Sequence, residues 1–283
     1  MGVALVCLLA LLGGASGSAR AKLSLTFGAY SSDKPSAMVA QIRPSLNELA
    51  RDMSAILGEE VEISMQVVRS YEDGVGLVVS GKADFARLGA ASYVAAIGQD
   101  PGLEILAMEN KRGSKSFRGI ICVRRDSDIT ELGQLKGRNF AFGNKRSTIG
   151  RYLAQLTLLR AGILAEQLDS YEYLGRHDKV GRAVGSGLFD AGAVEETVFA
   201  KLVKQGVPIR AIATYNAATK PWVARRGLDP GVKRALRQAL LNLSDPSALR
   251  ALRFDGFLAG DDSDFHEIRL AIQENARFFT PAQ

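Results

Sequence analysis

The sequence predicts an α/β protein built from two similar lobes, and three observations predict it. Short apolar runs alternate with amphipathic stretches over most of the 283 residues, the pattern of largely parallel sheets covered by helices. A faint internal repeat relates SYEDGVGLVVSGKADFARLG to RHDKVGRAVGSGLFDAGAVE, with Ser80-Gly81 falling on Ser186-Gly187 at an offset of 106 residues. Finally, a hydrophobic fraction of 47% supports a core large enough for two domains.

The chain opens MGVALVCLLALLGGASGSARA, an apolar run followed by small residues and an A-x-A pattern. We read residues 1–21 as a signal peptide cleaved after Ala21, which makes the protein periplasmic. The run is too short to span a membrane, and Cys7 lacks the setting of a lipid-anchor site. Cleavage removes Arg20 and takes the formal charge from +6 to +5, a basic excess suited to anionic ligands. The basic residues are scattered, and nucleic acid is not an expected partner in this compartment. Cys122 is then the only cysteine, so no intrachain disulfide forms; its setting, Ile120-Ile121-Cys122-Val123, reads as a buried strand with a core thiol. With His177 and His266 as the only histidines, neither a His-based metal site nor any cofactor is expected.

Residues 23–27 form the expected first strand. The helix after Pro35 places Met38, Ile42, Leu46, Leu49, Met53 and Ile56 on one face and stops near Gly58. Val61, Ile63, Met65 and Val67 then alternate as a second strand. In the repeat, each copy reads as a helix, a Ser-Gly turn, a short strand entered through Asp84 or Asp190, and a further helix. Tyr71 and His177 each open a helix and would approach one cleft from opposite lobes, since ligands of open α/β sheets bind beyond the carboxyl ends of the strands. The expected division is 22–114 for lobe 1, 115–212 for lobe 2, and 213–283 for the return to lobe 1 with the C-terminal helices. Crossings fall near 111–117 and 211–215, as short hinge strands.

Residues 139–160, NFAFGNKRSTIGRYLAQLTLLR, read as a strand, a tight loop and a helix whose first turn carries Ser147, Thr148, Ile149 and Gly150. The first amides of a helix lack intrahelical partners and carry partial positive charge, so hydroxyls beside them make an oxyanion cradle, with Lys145 and Arg146 nearby. No Gly-Lys-Ser/Thr follows Gly143, which excludes a Walker loop. The plain alternative is an ordinary serine N-cap.

Tyr71 with SGKADFARLG, LKGRNFAFG followed by Ser147-Thr148 and Gly150, His177-Asp178, SGLFDAGAV, and the ending LDPGVKRALRQALLNLSDP with FDGFLAGDDSDF together resemble one family. It is that of the phosphate/phosphite/phosphonate substrate-binding proteins of ABC transporters, the PhnD-like type 2 periplasmic binding proteins. The resemblance implies a venus-flytrap fold: two α/β lobes, two short hinge strands, and a ligand held between them for a membrane permease. It places the oxyanion-binding hydroxyls at Ser147 and Thr148, with the third falling on Ile149, where only backbone amides (Ile149, Gly150) remain. It also puts ligand contacts at Tyr71, His177 and Phe117, the last without a hydroxyl. Members that bind aminoalkylphosphonates hold the amine with carboxylates. Here the lobe-2 position falls near Thr197, beside Glu195 and Glu196, and the hinge residues Thr214, Tyr215 and Asn216 include no acid, which argues against an amine.

His177 would donate to an oxygen of the ligand, turning cationic if the anion raises its pKa. Glu195 or Glu196 is either a first-turn carboxylate or an acceptor that selects protonated oxyanions. Tyr30, after the first strand, is a further cleft candidate, and Tyr93 is core or rim. The expected function is capture of a small oxyanion for an ABC transporter by a monomeric, non-catalytic protein. The alternative is an oxyanion-sensing subunit for a membrane histidine kinase. A hydrolase built on Ser147, His177 and Asp178 is disfavoured, because adjacent His and Asp side chains diverge on a helix and Ser147 lacks a Gly-x-Ser-x-Gly frame.

Overall fold

The structure, a computed structural model, describes residues 22–30 and 35–280. The proposed signal peptide and its cleavage after Ala21 lie outside these residues. Two mixed sheets form the two halves.

Strand β1 (Lys22–Tyr30), helix α1 (Pro35–Leu57), strand β2 (Glu60–Val68), helix α2 (Tyr71–Val79), strand β3 (Phe85–Arg87), helix α3 (Ala90–Gln99) and strand β4 (Glu104–Glu109) begin the first half. The second half begins with strand β5 (Ser116–Arg124), strand β6 (Asn139–Phe142), a π-helical turn (Thr148–Leu153) continuing into helix α4 (Ala154–Arg160), strand β7 (Ser170–Tyr173) and helix α5 (His177–Gly185). Strand β8 (Ala191–Glu195), helix α6 (Glu196–Lys204) and strand β9 (Ile209–Ala218) complete the second sheet. The chain then runs through strand β10 (Pro221–Ala224), helices α7 (Pro230–Asn242) and α8 (Pro246–Leu252), strand β11 (Phe257–Leu258) and helices α9 (His266–Gln273) and α10 (Asn275–Phe279).

The first sheet has the order β11-β4-β10-β3-β1-β2 and the second β7-β6-β8-β5-β9. The sheets are less parallel than the alternating pattern suggests, because the strands that carry the chain between halves run against their neighbours. β5 is antiparallel to both β8 and β9, and β10 to both β3 and β4. β9 stays paired with β5 through Ala218, so at residue 213 the chain is still in the second sheet. The ending is also more divided than expected. Phe265 and Ile268 pack with α3 residues of the first half, whereas Phe278 is fully buried in the core of the second, and Arg151 Nη2 donates to Asn275 Oδ1 at 2.7 Å.

Local rules account for the elements nearest the cleft. α1 buries Ile42, Leu46, Leu49 and Met53 on one stripe, as its spacing requires, but Ile56, in its last turn, is exposed. α2 and α5, the repeat-matched helices, are nine residues each. Both end in a Ser-Gly turn whose glycine has positive φ (Gly81 +74°, Gly187 +79°), a backbone state that other residues adopt only at a cost. Asp84 and Asp190 are turn-fixing groups: Asp84 Oδ2 accepts from Thr26 N at 2.8 Å and Asp190 Oδ2 from Asn139 N at 3.0 Å.

The core of the first half is aromatic. Phe27 is fully buried, its ring centroid 5.1 Å from Phe85 and 4.7 Å from Trp222. Because β1 is an interior strand and Phe27 shares one core cluster with Ile42, Leu46 and Leu49 of α1, truncating Phe27 opens a cavity in the layer that holds the cleft strands. Phe27→Ala is expected to lower stability by about 3–5 kcal/mol in urea unfolding followed by the fluorescence of the single tryptophan; a loss below about 1 kcal/mol contradicts this packing account.

Candidate ligand-binding cleft

Two helix starts meet head-on between the halves. From the first half comes α3, N-capped by Gly89; from the second comes the π turn, N-capped by Ser147. They are stitched together by Ala91 N, which donates to Thr148 Oγ1 at 2.9 Å. Gly89 N donates to the Tyr30 hydroxyl at 2.8 Å, and that hydroxyl shares a 2.9 Å hydrogen bond with Ser92 Oγ. On each side two amides remain without an acceptor among the described residues: Ala90 and Ser92 in α3, Thr148 and Ile149 in the π turn. Both helix starts are positive dipole ends, so their apposition creates a local demand for negative charge.

The π turn has a visible cause. Arg151 N and Tyr152 N both donate to Ser147 O at 3.2 Å, widening the first turn. Gly150 lets it press against the preceding strand end: a Cβ there would lie 2.8 Å from Gly143 Cα and 3.1 Å from His177 Cε1. Gly143 N donates to Gly150 O at 2.7 Å.

This geometry redistributes the roles read from the sequence. Ser147 is a true N-cap, its hydroxyl accepting from Gly150 N at 2.9 Å, so the Gly150 amide is not free for a ligand. Ile149 contributes its amide alone, because its side chain is buried in an apolar cluster with Leu88, Ala90, Leu153 and Phe265 that spans the halves. Thr148 keeps both a free amide and a hydroxyl hydrogen, since its oxygen accepts from Ala91. Tyr71 stacks against Tyr30 with centroids 4.5 Å apart and reaches toward Ser147. Burial raises the pKa of both phenols, which keeps them protonated donors. Phe117 lies at the hinge beneath Lys111, whose ammonium is 5.2 Å from its ring centroid. Tyr93 is core: it is 2% exposed and its hydroxyl donates to Asp262 Oδ1 at 2.8 Å.

His177 opens α5 directly beside Gly150. Its Nδ1 is buried with no hydrogen-bond partner among the described residues. Burial lowers its pKa, outweighing the opposing influence of Glu195 and the backbone of Ala193, so at neutral pH the free protein holds a neutral imidazole. Asp178 does not orient it; that carboxylate is forked by Arg176, with Nε to Oδ1 2.9 Å and Nη2 to Oδ2 2.6 Å. Ser147, His177 and Asp178 therefore form no relay.

Glu195 caps α6, accepting from Thr197 N at 3.0 Å and Val198 N at 3.3 Å, and pairs with Lys111 Nζ at 3.4 Å. Burial pushes its carboxyl up, but the Thr197 amide, Lys111 and Lys220 prevail and hold it below the usual carboxylate range. Its negative charge is thus already paired with two helix amides and Lys111. Cys122 is a buried core thiol, pushed up to about 12 by burial.

Sequence reading missed three cleft charges: Arg87, Glu109 and Lys220. Arg87 and Glu109 form a nearly buried fork, with Nη2 to Oε2 3.2 Å and side chains 10% and 9% exposed. Lys220 sits between β9 and β10, and the one available signal was a lysine immediately before the Pro221-Trp222 strand start. Of two concavities among the described residues that lie outside the helix-start junction, one of 230 Å³ is bordered by Tyr71, Arg176 and His177, and thus adjoins the junction. The larger, of 510 Å³, is lined by Thr157, Arg160, Tyr215 and Glu267 and includes none of the four unpaired amides. Chemistry, not size, marks the site.

Comparison with known proteins agrees with this architecture. Residues 27–265 match the family described as ABC transporter, phosphonate, periplasmic substrate-binding protein. The probable ABC transporter phosphite binding protein PhnD1 of Prochlorococcus marinus (strain MIT 9301) is 27% identical over 215 residues, 70% of this chain and 71% of that protein. The structure of PhnD1 in complex with methylphosphonate superimposes with a TM-score of 0.75 at 22% identity, covering 90% of this chain and 98% of that one. XAC2383 from Xanthomonas citri, bound to chloride ion, gives 0.75 at 25% identity, covering 89% and 98%. The chain belongs to the family of periplasmic substrate-binding proteins of phosphonate ABC transporters, whose partners are a small ligand and a membrane permease.

Proposed function

We propose that this protein is a monomeric, non-catalytic receptor that captures a small oxyanion of the phosphonate, phosphite or phosphate type between its halves and delivers it to the permease. The single observation that carries this reading is the pair of opposed helix starts with four amides lacking protein acceptors. Three tetrahedral oxygens between them would take the Thr148 and Ile149 amides from one side and the Ala90 and Ser92 amides from the other. The Thr148 hydroxyl and the phenols of Tyr71 and Tyr30 serve as neutral donors. His177, held neutral in the free protein, donates through one nitrogen and gains a proton when the anion arrives.

Closure follows from the same contacts. Ala91 to Thr148 crosses the junction, and Arg146 Nε donates to Glu72 Oε1 at 2.7 Å on its exposed edge. An anion that neutralises the facing dipoles favours the closed arrangement over the open one.

Calorimetry with methylphosphonate, phosphite, phosphate and sulfate is expected to find at least one ligand with micromolar or tighter affinity, about −8 kcal/mol. Thr148→Val keeps the shape but removes the hydroxyl, and is expected to weaken that ligand about 10- to 100-fold, whereas Thr148→Ser retains most of the affinity. Absence of binding by all four anions would falsify the reading.

A pH dependence follows from His177. Its folded pKa lies below that of the unfolded chain, so the unfolded state binds more protons as pH falls through 6.5 and stability drops there. Urea unfolding without ligand at pH 7.5 and pH 5 is expected to show a larger loss for the native protein than for His177→Gln. Equal losses would contradict the neutral, buried imidazole.

A further inference from the structure

We propose that Lys220 forms a second anion-binding subsite in the cleft, so that the cognate ligand is an oxyanion bearing a second acidic group, as a phosphonocarboxylate does. The inference rests on the oxyanion reading above and deepens it by naming what the rest of the ligand carries.

Strand register puts Lys220 at the cleft. Trp222 pairs with Arg87 across antiparallel β10 and β3, and Leu88 N donates to Pro221 O at 3.1 Å. Continuing the register places Lys220 opposite Gly89, the N-cap of α3. On its other side the Lys220 carbonyl accepts from Glu109 N at 3.1 Å. Lys220 therefore stands at the strand ends that face the second half, next to one of the two opposed helix starts.

The charges around it do not balance. Lys220 is within electrostatic reach of Arg87 and Glu109 in the first half, Lys111 at the hinge, and Glu195 and His177 in the second. Arg87 is forked by Glu109, and Lys111 holds Glu195 together with Thr197 Oγ1 at 3.0 Å. Both carboxylates are thus committed to other cations. The Lys220 ammonium makes no hydrogen bond or ion pair with any described residue. The charge of Arg87, and then burial, push its pKa down to about 8, against the opposing pull of Glu109 and Glu195.

A half-buried cation held beside an arginine without its own counter-ion is destabilising unless something else offsets it. A ligand carboxylate or second acid does so directly, and binding restores the proton that the crowded site tends to lose. A ligand amine does the opposite, bringing a third positive charge beside Arg87 and Lys220.

The test is calorimetry of the full chain with methylphosphonate, phosphonoacetate and 2-aminoethylphosphonate, repeated on Lys220→Met and Lys220→Arg. Phosphonoacetate is expected to bind native protein at least about tenfold more tightly than methylphosphonate, and 2-aminoethylphosphonate at least about tenfold more weakly. Lys220→Met removes the phosphonoacetate advantage while leaving methylphosphonate within about threefold, and Lys220→Arg retains it. At pH 8.5, titrations in two buffers of different ionisation enthalpy should show more proton uptake with phosphonoacetate for the native protein than for Lys220→Met. Equal affinities in the native protein, or an unchanged ratio in Lys220→Met, overturn the proposal. Binding of methylphosphonate without the preference overturns this inference and leaves the oxyanion reading standing; no binding by any of the three overturns this inference, and the oxyanion reading falls with it only when phosphite, phosphate and sulfate also fail to bind.

Discussion

The head-on approach of α3 and the π turn is the constraint on which the rest of the cleft depends. Helix starts repel electrostatically, and a fold that sets two of them in contact needs an interaction to hold them and a charge to complete them. The holding interaction is the Ala91–Thr148 hydrogen bond, backed by an apolar cluster in which Ile149, Leu153 and Phe265 meet Leu88, Ala90 and Val78. In the function proposed above, the completing charge is the ligand. On this view specificity for oxyanions comes from the arrangement of backbone, and side chains such as Thr148, Tyr71 and His177 refine it.

The two sheets serve this junction. Each half brings its helix starts to the carboxyl ends of its strands, and the antiparallel crossing strands β5, β9 and β10 fix how the halves face one another. The last helices add a second tie, with Phe265 buried at the junction and Phe278 in the core of the second half. The paired charges of Lys111 with Glu195 and Arg146 with Glu72 lie around the same opening, so the rim is polar while the packing behind it is apolar.

Much of this was legible in the chain. The offset that aligns Ser80-Gly81 with Ser186-Gly187 also aligns Gly89 with Glu195, and both are N-caps of the helix that follows. The repeat therefore carried the architecture, and it also marked the difference between the halves: one helix start is left open by glycine, the other is closed by a carboxylate. Ser147 and Thr148 were visible as small hydroxyls at a helix start. Their division of labour was not, because the π turn depends on Gly150 meeting Gly143 and on a serine carbonyl shared by two amides. Lys220, Arg87 and Glu109 were invisible for another reason. They are far apart in sequence, and only the insertion of β10 between β3 and β4 brings them together. The mixed sheets and the divided C-terminal helices were likewise decided by tertiary packing, which periodicity does not report.

The most direct measure of the central claim is amide NMR of the isotopically labelled protein during titration with methylphosphonate. Hydrogen bonds to an anion shift amide protons downfield, so the account predicts the largest such shifts at Thr148, Ile149, Ala90 and Ser92, on both sides of the junction. Shifts confined to one half, or centred on the 510 Å³ concavity around Thr157 and Glu267, would contradict it.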